Sequence, residues 1–313
     1  MIDPEPVLVI GGTGNLGGRV VDALLARGTT VRALVRDGTD PRPLRARGVT
    51  TVAGDLLDPA SLRAALGGAR AVVTTAIGYL GRRKGDTLSS VDDQGNRNLA
   101  DATQAVGTPL VVFTSILAAD QATAVPHFHQ KAIIERYLTD TGVPYVALRP
   151  GAFLGAPDIA FLGAPDMWKS GLARGKLRTV GRAGVRWTYV HPHDVAQIAA
   201  AAVDEPRAVG GHIDIGTDGA LDAVELAAAF SELLTRPVRL QTVPYPLLRA
   251  GLSTAGLISP QLTDFRNMFD FFFSGAYLAD TTRQTELFGP PPTIEAGLRR
   301  YLDDAGLLTA SRP

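Results

Sequence analysis

A chain of 313 residues, 45% of them hydrophobic, with 31 basic residues balancing 31 acidic ones, can bury a sizeable core and carries no net charge at pH 7. That balance argues against a general electrostatic pull toward nucleic acid or an anionic membrane surface, so a small molecule is the expected partner. The absence of cysteine excludes disulfides and thiolate metal sites and fits a reducing, cytoplasmic compartment.

The N-terminus, MIDPEP, has none of the basic and then apolar layout of a secretory signal. Six short runs then read as buried strands: VLVI (7–10), VRALV (31–35), VTTVA (49–53), AVVTTA (71–76), LVVFTS (110–115) and YVALR (145–149). Between them LGGRVVDALLARG, PASLRAALGG, SSVDDQGNRNLADATQAVG and HQKAIIERYLTDTG carry helical apolar spacing and end at Gly or turn residues. Strands alternating with helices in this way predict an α/β, doubly wound fold, with a parallel sheet covered on both faces. After Pro150 the rhythm breaks into a stretch rich in Gly, Pro and Ala, in which FLGAPD is nearly repeated without amounting to a structural repeat. VRWTYVHPHDVAQIAAAAV (185–203) reads as a strand and a helix capped by Asp194 that return to the main sheet. LDAVELAAAFSELL and IEAGLRRYLDDAG are later helices. Residues 1–150, rejoined by 177–205, are thus assigned to the main domain, and 151–176 with 206–313 to a smaller, closely packed substrate lobe. The apolar stretches AQIAAAAV and YPLLRAGLSTAGLI are too short, or interrupted by Arg249, to span a membrane.

The strongest chemical signal is VLVIGGTGNLGGRVV. It fits G-x-x-G-x-x-G through Gly11, Gly14 and Gly17, and G-x-G-x-x-G through Gly12, Gly14 and Gly17. Either spacing lets a strand turn tightly into a helix whose N-terminus faces a pyrophosphate. The second strand ends in Arg36, where an NAD site would show an acid for the ribose hydroxyls. A guanidinium there suits a 2′-phosphate and favours NADP(H) over NAD(H), although the adjacent Asp37 offers the acidic role if the strand end shifts by one residue. GDLLD (54–58) follows the third strand. Asp55 is placed to hydrogen-bond an adenine amine, and Asp58, before Pro59, to cap a helix.

Taken in order, GGTGNLGGRV, VRALVRD, AGDLLD, TTAIG, VVFTS, KAIIE and YVALRPGAF resemble the atypical short-chain dehydrogenase/reductases, specifically the NmrA-like group of NAD(P)H-binding proteins. The resemblance covers most of residues 5–155 and continues more faintly beyond. It implies a Rossmann-type dinucleotide site in which Gly11, Thr13, Gly14, Asn15, Leu16 and Gly17 meet the diphosphate and Arg36 the 2′-phosphate. It further implies that Asp55 and Leu56 meet the adenine and that Thr75, Ala76 and Ile77 line the path to the nicotinamide ribose. Pro150, Gly151, Ala152 and Phe153 would border the nicotinamide.

In typical members of that superfamily a tyrosine gives a proton to the carbonyl oxygen, and a lysine four residues later binds the nicotinamide ribose. A serine at the end of the fifth strand completes the set. In PHFHQKAIIE the lysine is Lys131, His127 stands at the tyrosine's place, and Ser115 occupies the serine's. Positions i and i+4 share a helical face, and an imidazole can both donate a hydrogen bond and transfer a proton, though a nearby lysinium opposes its charged form. The plainer alternatives are a packed or capping His127 and a Lys131 paired with Glu135; His129 points away from the 127/131 face. His191 and His193 lack a third ligand, so no metal is expected. Aromatics at Phe153, Phe161 and Met268 to Phe273 suit a hydrophobic substrate or ordinary packing, and the basic GRRKG (81–85) is placed to overhang the cofactor or to be solvated. The implied activity is NADPH-dependent hydride transfer to an apolar ketone, quinone, imine or activated alkene, in a monomer or homodimer. The alternative is a non-catalytic NADP(H)-sensing regulator that binds a protein partner.

Overall fold

The computed structural model describes residues 5–79, 83–107, 109–154, 167–180, 183–257 and 259–308. Strands β1 (Val7–Ile10), β2 (Val31–Val35), β3 (Thr50–Ala53), β4 (Ala71–Thr74), β5 (Leu110–Thr114) and β6 (Tyr145–Pro150) lie side by side in the order β6-β5-β4-β1-β2-β3, every pairing parallel. Adjacent residues of β1 feed opposite faces, as the two-residue period of a strand requires. Val7 and Val9 pack with Val20, Val21 and Leu24, whereas Leu8 and Ile10 pack with Leu62, Leu66 and Leu99. Both faces are therefore dry, and the fold is α/β and doubly wound.

The helices follow from the same pattern. α1 (Asn15–Ala26) buries Gly17, Val20, Val21, Ala23 and Leu24, one stripe of its surface, and stops at Gly28, whose φ of +72° suits glycine. α2 (Arg42–Arg45) is a single turn. α3 (Pro59–Leu66) begins with Pro at its first position and is capped by Asp58, which accepts from the Ala60 amide. α4 (Asn96–Ala105) is preceded by a wide π-helical stretch, Leu88–Gly95, and α5 (Pro126–Asp140) again opens on Pro.

Beyond Pro150 the chain leaves the sheet. β7 (Ala152–Phe153) pairs with β9 (Trp187–Val190), while β8 (Lys176–Thr179) stands apart. The seventh strand of the main sheet is β10 (Gly211–Ile215), parallel to β6. The region predicted to return to the sheet therefore does so only through its helix, α7 (Pro192–Ala202). Its strand β9 remains in the small sheet, and β10, assigned by sequence to the substrate lobe, takes the edge instead. Gly151 explains the exit: a side chain there would sit 2.6 Å from the Thr188 carbonyl oxygen, so only glycine lets β9 lie this close to the β6–β7 junction. α7 approaches α1 on a surface of small residues, Ala196, Ala199, Ala200 and Ala202, all buried. Its cap is His191, whose ring accepts from the His193 amide; Asp194, the predicted cap, lies inside the first turn.

The lobe adds α6 (Met167–Leu172), β11 (Ala220–Leu221) paired with β9, α8 (Ala223–Leu233), β12 (Arg239–Thr242) paired with β8, α9 (Tyr245–Gly256), α10 (Pro260–Phe273), α11 (Thr282–Phe288) and α12 (Ile294–Asp304). Its core is aromatic. Phe269, Phe272 and Phe273 are buried with Trp187, Phe230, Tyr277 and Tyr301, so these α10 rings hold the lobe together. Phe161 and the near-repeat around it lie outside the described residues.

Candidate active site

The glycine turn is built by close approach. Gly11, at φ +87°, lies against Thr75, and a Cβ there would come within 2.6 Å of the Thr75 hydroxyl oxygen. A Cβ on Gly17 would stand 2.1 Å from the Gly11 carbonyl oxygen, which no relaxation of a side chain can relieve. Gly12 would meet only ordinary contacts. Of the two spacings open in the sequence, the structure thus uses Gly11, Gly14 and Gly17. Gly14 is the N-cap of α1 and supplies no side chain to its first amides, so that end of the helix, with Thr13, Asn15 and Leu16 around it, retains donors for an anion. Thr75 fixes the neighbouring chain, its amide and hydroxyl both bonding the Ile10 carbonyl at 3.0 and 3.3 Å.

At the end of β2, Arg36 is bound in a fork by Asp86, with Nη1 to Oδ1 at 2.8 Å and Nη2 to Oδ2 at 3.2 Å. Asp86 is buried, while the Arg36 side chain is one-third exposed. Asp37 instead accepts from the Gly38 amide at 3.0 Å. Arg83 reaches over from the same loop as Asp86 to the Asp37 carbonyl and the Thr39 hydroxyl. Arg83 of the basic GRRKG stretch is thereby placed at the Arg36 end of the sheet; residues 81 and 82 lie outside the described residues. Asp55 accepts from the Leu57 amide at 2.9 Å, and Leu56 is buried with its carbonyl bonded by Asn98.

The segment 75–79 connects the glycine turn to α5. It starts at Thr75, continues through the half-buried Ala76 and Ile77, and ends with the amides of Gly78 and Tyr79 bonded to Asp92 Oδ2 at 2.8 and 3.0 Å. Gly78 is another enforced glycine, since a Cβ would lie 2.4 Å from the Thr87 carbonyl oxygen. The other Asp92 oxygen is 3.3 Å from Lys131 Nζ. Lys131 is buried, its ammonium lies 5.0 Å from the centre of the Phe113 ring, and it has no hydrogen-bond partner among the described residues.

One helical turn earlier, His127 stacks on Tyr79, with ring centroids 4.2 Å apart and planes at 16°. Its Nδ1 is 2.9 Å from Asp264 Oδ2, a carboxylate delivered by α10 from the lobe. Burial, and then the charge of Asp264, push the Tyr79 phenol upward. The structure thus brings His127 and Lys131 to one face of α5 against the β4 loop. The buried Ser115 hydroxyl donates to Glu135 Oε1 at 2.5 Å, four residues beyond Lys131 on α5, and Glu135 is bound in turn by Arg149 Nε at 3.0 Å and Nη2 at 2.6 Å. Asp120 extends that network, accepting from Arg149 Nη1 at 3.0 Å, and the ion pair Lys131 makes is with Asp92. Pro150 to Phe153 form the passage from the main sheet to the small one, with Pro150 and Gly151 buried.

Four residues of this arrangement escaped the sequence reading: Tyr79, Asp86, Asp92 and Asp264. Each acts across a long sequence separation, and an isolated acid or aromatic in a polar stretch carries no periodic signal. Among the described residues no group of three or more His, Asp or Glu side chains is placed to hold a metal ion. Among the same residues no helix is long and apolar enough to cross a membrane. A cleft of about 580 Å³ beside β10, lined by Arg207, His212, Asp214 and Arg283 among others, shares none of the residues above.

The model of the NmrA-like family matches residues 4–289. The photosystem II assembly factor Ycf39 of Synechocystis sp. is 28% identical, over 95% of this chain and 90% of its own length. The NAD(P)H azoreductase of Xenophilus azovorans is 28% identical, over 80% of this chain and 82% of its own length. In fold, the chain is similar to the NADPH-dependent quinone oxidoreductase QOR2 of Escherichia coli, solved in complex with NADPH. The TM-score is 0.73 at 24% identity, covering 95% of this chain and 99% of that one.

Proposed function

The chain belongs to the NmrA-like family, and we propose that it is an NADP(H)-dependent reductase acting on an apolar ketone, quinone, imine or activated alkene. The residues present fit a dinucleotide. The Gly11–Gly17 turn and the uncapped start of α1 suit its diphosphate. Arg36 suits a 2′-phosphate, Asp55 and Leu56 the adenine, and Thr75, Ala76 and Ile77 the path between. When bound, the group supplies hydride. Lys131 would hold the nicotinamide ribose, Pro150 to Phe153 would border the ring, and His127 would supply the proton. The relatives named as an azoreductase and a quinone oxidoreductase support a reductase and an apolar, unsaturated acceptor.

The observation that carries this reading is Lys131. A buried ammonium is costly unless it is both charge-paired and hydrogen-bonded. Asp92 supplies the charge at 3.3 Å, while the N–H donors have no hydrogen-bond partner among the described residues. A ribose diol offers the acceptors such donors need. The segment 75–79, which starts against the glycine turn and ends on the Asp92 carboxylate that faces Lys131, supports one ligand meeting both.

A second reading is supported by the relative named as an assembly factor, which matches over 95% of this chain: a non-catalytic NADP(H)-sensing protein that holds a protein partner. Fluorescence titration with NADPH and NADH, followed by absorbance-monitored NADPH oxidation against quinones, azo dyes, ketones, imines and enones, separates the two. The reductase should bind NADPH more tightly than NADH and turn over at least one acceptor, and Lys131→Ala should abolish that turnover. Tight binding without turnover across the panel favours the non-catalytic reading, and absence of NADPH binding removes both.

A further inference from the structure

We propose that Asp264 is a positioning residue for proton delivery by His127, so that the acid of the reaction is completed only by the second lobe. This rests on the reductase reading above. His127 sits in the first turn of α5, its ring held between Tyr79, stacked at 4.2 Å, and Phe128, edge-on at 4.9 Å. An ionised carboxylate only accepts hydrogen bonds, so the 2.9 Å contact of Asp264 Oδ2 with Nδ1 assigns the proton to Nδ1 and leaves Nε2 as the exchanging nitrogen. The carboxylate and the flat Tyr79 ring together fix the orientation of the imidazole. The opposing charge is Lys131, one turn along the helix, which Asp92 offsets at 3.3 Å. With the neighbouring cation paired, the acid function lost with the superfamily's tyrosine is transferred to a histidine–aspartate pair. The side chains of His127 and Asp264 are only 14% and 7% exposed, so solvent screens this pair weakly.

Reduction of a carbonyl acceptor adds two electrons and two hydrogens. Hydride is the dinucleotide's contribution; the second hydrogen leaves His127 as a proton. The Nε2–H bond breaks with its electron pair remaining on nitrogen, an O–H bond forms on the acceptor, and solvent returns a proton to the ring.

The test uses the full chain in three forms: wild type, Asp264→Asn and His127→Gln. NMR titration of the histidine ring protons, with His127→Gln giving the assignment, is read beside the pH profile of kcat with NADPH and a naphthoquinone. Asp264→Asn should move the His127 titration to lower pH. The falling limb of kcat should move with it, so that kcat above the midpoint drops about tenfold while the NADPH Kd stays within about twofold. Asp264→Glu should restore part of the shift, and His127→Gln should flatten the limb. An unmoved His127 titration in Asp264→Asn overturns the inference, as does a falling limb that persists in His127→Gln. Failure of wild type to oxidise NADPH with any acceptor would instead remove the reductase reading, and this inference with it.

Discussion

At the scale of single residues, the proposed preference for NADP(H) rests on the pairing of Arg36 with Asp86. The guanidinium that a 2′-phosphate requires is already bound, in a fork, to a buried carboxylate of this same chain. A phosphate arriving there must share Arg36 with Asp86 and tolerate its negative charge. Charge-assisted hydrogen bonds are worth about 1.5–3 kcal/mol, so the competition is not trivial. Arg83, bonded to the Asp37 carbonyl and the Thr39 hydroxyl, leaves a second guanidinium beside the same strand end. Asp86→Asn keeps the shape and removes the charge. It should tighten NADPH about three- to tenfold and leave NADH nearly unchanged; equal changes for both dinucleotides, read by fluorescence titration, would refute a role in discrimination. Arg36→Ala should do the reverse and erase the difference between the two. Arg36 is legible in the sequence as the last residue of a strand pattern, whereas Asp86, fifty residues on in a loop, becomes meaningful only when the fold sets it against Arg36.

At the scale of elements, the wide helical stretch Leu88–Gly95 carries the arrangement around Lys131. A π-helical turn accommodates one extra residue and leaves backbone carbonyls needing other donors. Asn96 provides them: its Nδ2 bonds the carbonyls of Val91 at 3.2 Å and Asp92 at 2.9 Å, in a buried setting. The stretch opens with a reciprocal cap between Thr87 and Ser90. With the backbone fixed, Asp92 points inward to Lys131 and to the Gly78 and Tyr79 amides, while Asp93 faces Arg97 and Gln130. Asn96→Ala strips both carbonyls of a donor and should cost about 2–3 kcal/mol in denaturant unfolding. It should also weaken NADPH binding through Asp92, and an unchanged Kd would show that Asp92 does not depend on this turn. None of it was legible beforehand. SSVDDQGNRN reads as an ordinary helix start, because a π-turn depends on side-chain-to-backbone bonds rather than apolar spacing. The strand–glycine–helix pattern of residues 7–26 was legible, since it rests on local sterics that any neighbour would preserve. The assignment of β9 and β10 was not: WTYV is buried along its whole length like a central strand but pairs in the small sheet, while GHIDI, with polar His212 and Asp214, takes the main sheet's edge.

At the scale of the whole molecule, the lobe and the sheet domain are tied together by α12, around a buried histidine. Asp304 at its end bonds Arg19 of α1 at 2.5 Å and lies 3.4 Å from His191 Nε2, and Arg300 bonds Asp194 of α7 at 2.5 Å. Leu298, Tyr301 and Leu302 bury the apolar face of the same helix in the lobe core. His191 stands at the centre with its side chain 3% exposed, and its Nδ1 already accepts the His193 amide that starts α7. Protonating that nitrogen removes the cap and places a charge in the interior. Burial is the main reason its pKa is pushed down to about 4; Asp304 opposes that shift, while Arg19, Arg300 and His193 add to it. A histidine whose folded pKa lies below its unfolded value of 6.5 contributes stability that is fully present above 6.5 and is lost as pH falls toward 4. The loss attributable to His191 should be on the order of 2 kcal/mol between pH 6.5 and pH 5. His191→Asn keeps a cap acceptor without a titrating ring. Carboxylates elsewhere titrate alike in both proteins, so the difference between the two unfolding curves isolates this site. The variant should lose distinctly less stability over that interval, and parallel curves would show that His191 does not couple the clasp of α1, α7 and α12 to pH.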